Sequence, residues 1–463
     1  MISTLKSMAH DKIFFRRTLS VAVPIMIQNG ITNFVSLLDN IMVGRIGTEQ
    51  MSGVAISNQI LMIYFLCIFG GVAGAGIFTA QYYGEGNEDG VRESMRFKIW
   101  ICSILTLIAV AIFAIFGNSL IGLYLKGSAD GGNITATLNY GRQYMNIIML
   151  SLPAFMMLQV YTSTLRECSE TVVPMKAGFV AVIVNLALNY ILIFGKFGFP
   201  ALGVVGAAIA TVVARYTEAT YVILWTHINK SKTSYIRGLY KTLKIPAAKV
   251  KNYVVKGLPL LANEACWSGG MASLTQCYSV RGLSVVAGLN IANTIFNVFS
   301  IVFIALGDAV AIIVGQLLGA GKMKEARDTD NKLILFSVIS CAFISVIMFL
   351  VAPLFPNLYN ITEQSRHIAT QFMCVQALFL PMMAFNHATY FTLRSGGKTM
   401  VTFFFDSVYM WAISFVLAFM LSRYTDISAV AMYALVQSAD IIKCIIGYVL
   451  VKKGVWINNI VSE

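Results

Sequence analysis

Residues 99–117 read IWICSILTLIAVAIFAIFG, an uncharged apolar run long enough to cross a lipid hydrocarbon core as one α-helix, which takes about 20 residues. Runs of this kind recur along nearly the whole 463-residue chain. Hydrophobic residues make up 57% of the sequence and charged residues only 12%, whereas a soluble globular protein carries about 25% charged residues. The composition therefore excludes an ordinary soluble domain and predicts an all-α integral membrane protein.

Polar breaks that contain glycine or proline divide the apolar sequence into twelve predicted transmembrane helices. Their centres fall near residues 28, 67, 106, 151, 183, 214, 266, 303, 343, 380, 410 and 440. Four prolines lie inside these spans, at positions 24, 153, 259 and 381. Proline kinks a membrane helix, and it is tolerated where neighbouring groups or water satisfy the freed carbonyl oxygen.

The charge distribution predicts the orientation. The chain has 34 basic and 21 acidic residues, a net charge of +13. Twelve crossings place both termini on one side, and most basic residues fall in the loops of that side, above all in the stretch 227–256. Because basic residues concentrate in cytoplasmic loops, both termini are predicted to be cytoplasmic. The positive charge thus marks orientation, and we expect no nucleic-acid partner.

The chain repeats itself. A shift of 235 residues pairs Pro24 with Pro259, Gly53 with Gly288, Asn58 with Asn293, Gln81 with Gln316 and Gly84 with Gly319, and a shift of 228 then pairs Pro153 with Pro381. Each half holds six predicted spans, and since six is even the two copies share one orientation. We predict an N-lobe at 1–226, a basic linker at 227–252 and a C-lobe at 253–463. Repeats that enclose a site near the bilayer midplane are typical of secondary transporters.

The first half carries one carboxylate that needs a partner. A carboxylate at a span centre costs roughly 2.5–3.5 kcal/mol on insertion scales, so Asp39 is expected to face a cavity or polar groups. Asn185 and Asn189 share a helix face, and Thr211 lies in the next span. Together they form an oxygen-rich set that suits a proton or a hard cation, with Na⁺ at Asp39, Asn185 and Asn189. The alternatives are a solvated helix end for Asp39 and hydrogen bonds between helices for the others.

The second half offers three acidic candidates for the same role, Glu264, Asp308 and Asp406. Helix capping is the alternative for Asp406, which lies near a predicted loop. The spacing of Asp440 and Lys443 predicts a local, structural ion pair, and Arg215 with Glu218 has the same spacing.

Polar and aromatic residues within the spans are candidates for lining a cavity. Aromatic faces attract organic cations, and amides can orient them. The candidates are Gln28, Asn33, Tyr64, Asn263, Trp267, Tyr278 and Asn293. Ordinary packing is the alternative for each of them.

Several sequence signatures of enzymes and ATP-driven pumps are missing. The stretches GQLLGAGK and TLRSGGKT do not match the phosphate-binding loop GxxxxGK[ST]. The four histidines show neither HExxH nor metal-ligand spacing, and no GxSxG turn occurs. We therefore predict a non-enzymatic protein without a cofactor, in which any active transport uses an ion gradient.

The sequence resembles the multidrug and toxic compound extrusion (MATE) transporters over essentially all twelve spans. The resemblance is carried by VPIMIQNGITNFVSLLDNIMVGRIG at 23–47, AQYYGEGNEDGV at 80–91, FGFPALGVVGAAIAT at 197–211, GLPLLANEACWSGGM at 257–271, GQLLGAGKMKEA at 315–326, the paired Leu165-Arg166 and Leu393-Arg394, and WINN at 456–459. The combination is specific, although each piece alone is weak.

The resemblance implies two six-helix lobes in a V that export cationic amphipathic compounds in exchange for Na⁺ or H⁺ by alternating access. It assigns Asp39, Asn185 and Thr211 to the N-lobe site and places Glu264 at a C-lobe acidic position. Asn189 is a departure, because many similar members carry Asp there.

We therefore expect a monomeric antiporter of the bacterial inner membrane that contacts lipids and small organic cations. One alternative is a lipid-linked precursor flippase, although only Arg215 lies within a span to bind a pyrophosphate. A membrane-embedded transferase would need a convergent catalytic cluster, against which the scattered histidines argue.

Overall fold

The computed structural model describes residues 5, 7, 8, 10–125, 133–359 and 361–462. All long elements in these ranges are helices. They are α1 (Lys12–Gly44), α2 (Thr48–Glu85), α3 (Glu88–Leu125), α4 (Ile134–Glu167), α5 (Val172–Phe194), α6 (Val204–Ile228), α7 (Ala247–Ser279), α8 (Leu283–Gly319), α9 (Met323–Val351), α10 (Glu363–Ser395), α11 (Thr399–Tyr424) and α12 (Ala429–Lys453). Each predicted span centre falls inside the corresponding helix.

Eleven of these helices are long and apolar enough to cross a membrane by length and composition. The remaining one, α7, is 33 residues long, and its apolar part is interrupted by Asn263, Glu264 and several small residues. The prediction of an all-α membrane protein with twelve membrane helices is confirmed.

Prolines lie inside three of the helices, and irregular turns occur in two others. Pro24, Pro259 and Pro381 lie inside α1, α7 and α10. In α4 a 3₁₀ turn at Met149–Ser151 comes just before Pro153. The middle of α11 is π-helical, at Phe404–Val408 and Met410–Phe415. Such turns are rare and concentrate at functional sites.

The chain packs as two compact units. Unit 1 comprises the described parts of Met1–Met26, Ala80–Gly86 and Val255–Glu463, and unit 2 comprises Ile27–Thr79 and Asn87–Val254. The division falls within α1, within α2 and within α7, so these helices contribute to both units. The lobe boundaries read from the sequence remain a prediction.

In unit 1, α10 packs against α8, α9 and α12. The start of α1 joins this core through Phe14, Val21 and Ile25, which are buried in one cluster with Leu306 of α8 and Leu333 of α9. In unit 2, α6 packs against α4 and α5, and α3 packs against α4.

Unit 1 also contains a close crossing of the two repeated motifs AQYYGEG and GQLLGAG. A Cβ atom on Gly84 would lie 1.9 Å from the carbonyl oxygen of Gln316, and a Cβ atom on Gly319 would lie 1.9 Å from that of Gln81. The side chain of Gln81 then accepts a hydrogen bond of 2.9 Å from the backbone N–H of Ile460, near the C-terminus. Only glycine permits this approach, which explains why both motifs carry it at the same place.

In unit 2 the stretch 229–246 lies along α3. Three side chains on one face of α3, spaced four residues apart, donate to three linker carbonyl oxygens that are also four residues apart. The pairs are Arg92 Nε with Tyr235 O, Arg96 Nε with Leu239 O and Trp100 Nε1 with Leu243 O, each at 3.0 Å. The basic linker is therefore fixed to α3 along much of its length.

Candidate functional site

Unit 2 holds a polar cluster around Asp39. The Nδ2 atom of Asn189 donates to Asp39 Oδ1 at 2.6 Å and to Asn185 Oδ1 at 3.0 Å. Asn185 and Asn189 project from one face of α5 because they are one turn apart. The Asn189 side chain is buried, and its Oδ1 atom has no hydrogen-bond partner. The cluster thus contains a carboxylate and a buried oxygen that is open to a further ligand.

Tyr144 extends the Asp39 cluster towards Thr211 and Asn58. The buried Tyr144 of α4 places its hydroxyl close to the side chains of Thr211 and Asn58 and within electrostatic reach of Asp39. The Thr211 hydroxyl donates to Ala207 O at 3.0 Å. The structure therefore brings together all four predicted coupling residues and adds Tyr144, which sequence reasoning missed because a lone tyrosine beside Arg142 and Gln143 gives no distinguishing signal.

Arg215 provides a positive charge near this cluster. Its Nη1 atom lies 3.0 Å from Glu218 Oε2, which confirms the predicted ion pair. Its guanidinium group lies 5.6 Å from the centroid of the Phe155 ring and within electrostatic reach of Asp39. Arg215 is thus paired with Glu218, and the hydrogen bond to Asp39 comes from the neutral amide of Asn189.

Unit 1 holds a second polar cluster around Asp406, on the π-helical part of α11. Lys443 Nζ donates to Asp406 Oδ1 at 2.7 Å, and Asn263 Nδ2 donates to Asp406 Oδ2 at 3.1 Å. Asn263 Nδ2 also approaches the Tyr390 hydroxyl at 3.3 Å, and Ser407 donates to Asn263 Oδ1 at 2.7 Å. Both carboxylate oxygens of Asp406 are therefore satisfied, so it acts inside the helix bundle rather than as a cap.

The partner of Lys443 corrects the sequence-based prediction. The spacing within α12 pointed to Asp440, but the ion pair of Lys443 is made with Asp406 on α11. Asp440 stays within electrostatic reach of Lys443. Packing between helices has brought a second carboxylate closer than the one a turn away.

The other acidic candidates take separate places in unit 1. Glu264 lies on α7 within electrostatic reach of Asp406 and of Arg394 at the end of α10. Asp308 lies partly buried on α8.

The cavity candidates fall into two groups. Asn33 is exposed, and Trp267 is 39% exposed. The other five make contacts inside their own units, which leaves their cavity-lining role a prediction. Gln28 accepts from Arg166, Tyr64 bonds with Thr106 and Leu152 O, Asn263 belongs to the Asp406 cluster, Tyr278 packs edge-on against Tyr433, and Asn293 accepts from Gln376.

Two buried charged residues were not predicted. Lys98, which directly precedes the apolar run 99–117, is fully buried in α3 and binds Glu167 at 2.5 Å. Asp330 of α9 is also fully buried and accepts from the Thr392 hydroxyl at 2.6 Å. Thr164, 3.2 Å from Lys98, is the repeat partner of Thr392, so the two halves place opposite charges beside equivalent threonines.

In the part of the chain that the structure describes, no group of three or more His, Cys, Asp or Glu side chains could hold a metal ion. The Asp39 cluster has one carboxylate, with amide and hydroxyl oxygens around it. A monovalent hard cation or a proton fits that set better than a transition metal does.

Twelve long helices, eleven of them apolar enough to cross a membrane, with a repeated sequence and carboxylates placed inside the bundles, indicate a membrane transporter. The MatE family model matches residues 24–191 and again 259–422. The two matches begin 235 residues apart, which is the offset of the predicted repeat. The chain belongs to the MatE family, and it is a transporter rather than an enzyme.

Relatives and solved structures agree with this assignment. The chain is 25% identical to the probable multidrug resistance protein NorM of Thermotoga maritima, over 88% of this chain and 86% of that protein. It is 21% identical to the probable multidrug resistance protein YoeA of Bacillus subtilis, over 89% and 88%. The Vibrio cholerae MATE transporter VcmN shares the fold with a TM-score of 0.84 at 16% identity, over 98% of each chain. A MOP superfamily transporter from Pyrococcus furiosus does so with a TM-score of 0.80 at 18% identity, over 94% and 95%.

Proposed function

We propose that this protein is a secondary active antiporter that exports cationic amphipathic compounds by alternating access in exchange for Na⁺ or H⁺. Family membership and the multidrug resistance names of the relatives support the cargo class. The observation that carries the coupling proposal is the hydrogen bond from Asn189 to Asp39, beside an Asn189 oxygen that has no partner.

The charge of the Asp39 cluster explains how it can exchange a cation. Asp39 is half-buried, and its direct hydrogen-bond donor is a neutral amide, so its negative charge can be neutralised by an incoming cation. A proton would bind the carboxylate itself, and Na⁺ would also use the free Asn189 oxygen. A bound cation shifts the equilibrium between two conformations only by its differential affinity for them. Asp39, Asn185, Asn189 and Thr211 are the residues that we assign to this step.

The remaining assignments of residues follow from the same proposal. Glu264, Asp308 and Asp406 are the C-lobe acidic candidates, and Gln28, Asn33, Tyr64, Asn263, Trp267, Tyr278 and Asn293 are the substrate-cavity candidates. Asn33 and Trp267 are the most exposed of these.

The proposal also includes the setting of the protein. The lobes comprise 1–226 and 253–463, joined by the linker 227–252. The protein is a monomer of the bacterial inner membrane, in contact with lipids, and both termini are cytoplasmic. The concentration of basic residues in the linker supports that orientation.

Gradient-driven transport in proteoliposomes tests the proposal. Purified protein is reconstituted, sodium and proton gradients are imposed separately, and export of ethidium, a planar organic cation, is followed. Asp39→Asn is expected to abolish the stimulation of ethidium export by the gradient. The control Asp426→Asn changes a residue outside the helices and should retain that stimulation. Undiminished gradient stimulation in Asp39→Asn would contradict the coupling role.

A further inference from the structure

The Asp406 cluster of unit 1 already contains a cation. Lys443 Nζ lies 2.7 Å from Asp406 Oδ1, and the two side chains are only 13% and 17% exposed. Asp440, on the preceding turn of α12, places a second carboxylate within electrostatic reach of the same ammonium group. Two carboxylates thus surround one tethered ammonium in a site with little contact with solvent.

Aromatic rings complete the surroundings of this ammonium. Lys443 Nζ lies 5.1 Å from the centroid of the Phe405 ring and 5.9 Å from that of Tyr409. A carboxylate with aromatic faces is the arrangement that binds ammonium groups. Phe405 and Asp406 both belong to the π-helical turn Phe404–Val408, a rare distortion that concentrates at functional sites. The π-helical turn therefore places the Phe405 ring and the Asp406 carboxylate next to the same ammonium group.

The two carboxylate clusters differ in what neutralises them. Asp39 receives its hydrogen bond from a neutral amide, and the oxygen of that amide is free. Asp406 receives one hydrogen bond from an ammonium group and another from Asn263, so both of its oxygens are used. A cation from solution could bind Asp406 only by displacing the ammonium group of Lys443, which the chain itself holds in place. Binding at Asp39 requires no such displacement.

We propose that Lys443 is the resident cation of the Asp406 cluster and determines how many coupling ions the protein takes up. While Lys443 is in place, Asp406 binds no coupling ion and is therefore no longer a candidate for that role, and the coupling ion binds at Asp39. This inference rests on the proposed function of Asp39. Replacing the ammonium by an amide would recreate at Asp406 the arrangement of Asp39 and Asn189 and open a second site for a monovalent cation.

Cation binding to purified full-length protein tests the inference in an Asp39→Asn background, where the first site is removed. With Lys443 intact, increasing NaCl at constant ionic strength should leave Tm unchanged, and ethylammonium should have no effect either. Adding Lys443→Gln should make Tm rise with one of the two cations, and adding Asp406→Asn to that variant should abolish the rise. The inference would be overturned if Tm rose with added Na⁺ or ethylammonium while Lys443 is present, and if Asp406→Asn abolished that rise. A folded Lys443→Gln variant that responds to neither cation would also overturn it.

A charge-neutral double variant covers the case in which Lys443→Gln does not fold. Lys443→Gln with Asp406→Asn removes both charges together, which avoids an unpaired buried ion. The inference predicts that this double variant exchanges the same number of cations per ethidium as the wild type. A lower number would show that the coupling ion binds at Asp406. If Asp39→Asn alone kept full coupling, the proposed function would fail, while the binding measurements would still decide the role of Lys443.

Discussion

Asn189 donates a hydrogen bond of 2.6 Å to Asp39 across the boundary between α5 and α1, and its own oxygen stays without a partner. The amide thereby orients the carboxylate without neutralising it. This relationship distinguishes Asp39 from Asp406, whose partner is the ammonium group of Lys443.

Removal of the Asn189 amide should weaken cation binding. Hydrogen bonds to charged groups contribute about 1.5–3 kcal/mol, and about 1.4 kcal/mol corresponds to a tenfold change in affinity. We expect Asn189→Leu to raise the cation concentration for half-maximal ethidium export by roughly tenfold or more, within the range that this contribution allows. The matched control is Asn357→Leu, an exposed amide that donates to Pro353 O at 3.1 Å and has no assigned role in binding. Equal affinities in wild type and Asn189→Leu would show that the amide does not support the site.

The close crossing in unit 1 should not tolerate a methyl group. A Cβ atom on Gly84 would lie 1.9 Å from a backbone oxygen, so the helices would have to separate. Overpacking of this kind costs about 1–3 kcal/mol, and we expect Gly84→Ala to lower Tm. Gly122→Ala is the control, since nothing lies within 4 Å of its added Cβ and alanine favours helix. Thermal unfolding in detergent gives the Tm of both variants. Equal Tm values for Gly84→Ala and Gly122→Ala would argue against the tight crossing.

The linker should become accessible when its contacts with α3 are lost. Arg96 is 8% exposed and donates to Leu239 O at 3.0 Å and to Gly238 O at 2.8 Å. We expect Arg96→Ala to speed tryptic cleavage after Lys241 several-fold, because local release exposes the chain to the protease. Arg16→Ala, which removes an exposed arginine of α1, should leave the rate unchanged. An unaltered cleavage pattern in Arg96→Ala would mean that the linker is held by other contacts.

In the buried ion pair between α3 and α4, losing one partner should destabilise the protein more than losing both. Lys98 is fully buried and Glu167 is 15% exposed, at a distance of 2.5 Å. Removing one partner of a buried pair costs about 3–5 kcal/mol, whereas replacing both can be nearly neutral. Lys98→Met should therefore lower Tm more than Lys98→Met combined with Glu167→Gln does. A double variant less stable than the single one would contradict this reading.

Features encoded in local sequence could be predicted. The apolar runs fixed the span centres because burial in lipid demands length and apolarity along one segment. The repeat was visible because the crossing of α2 and α8 requires glycine at Gly84 and Gly319 alike. The shared face of Asn185 and Asn189 follows from helix geometry, and so does the ion pair of Arg215 with Glu218.

Features that depend on packing between distant helices could not be predicted. Lys443 has a carboxylate three residues away in sequence, yet it pairs with one 37 residues away. Lys98 directly precedes the apolar run 99–117, and a charge at that place normally marks the end of a span, whereas α3 begins earlier, at Glu88, and buries Lys98 against α4. The π-helical turns of α11 left no mark in its sequence that separates them from an ordinary apolar helix.

The most direct test of the account runs transport in reverse. Proteoliposomes with an imposed ethidium gradient, and with no initial ion gradient, are followed with sodium- and proton-sensitive dyes. The account predicts that ethidium movement through the wild type drives a counterflow of one of these cations, and that Asp39→Asn moves ethidium without driving it. Cation counterflow of equal size in Asp39→Asn would contradict the claim that Asp39 couples the two fluxes.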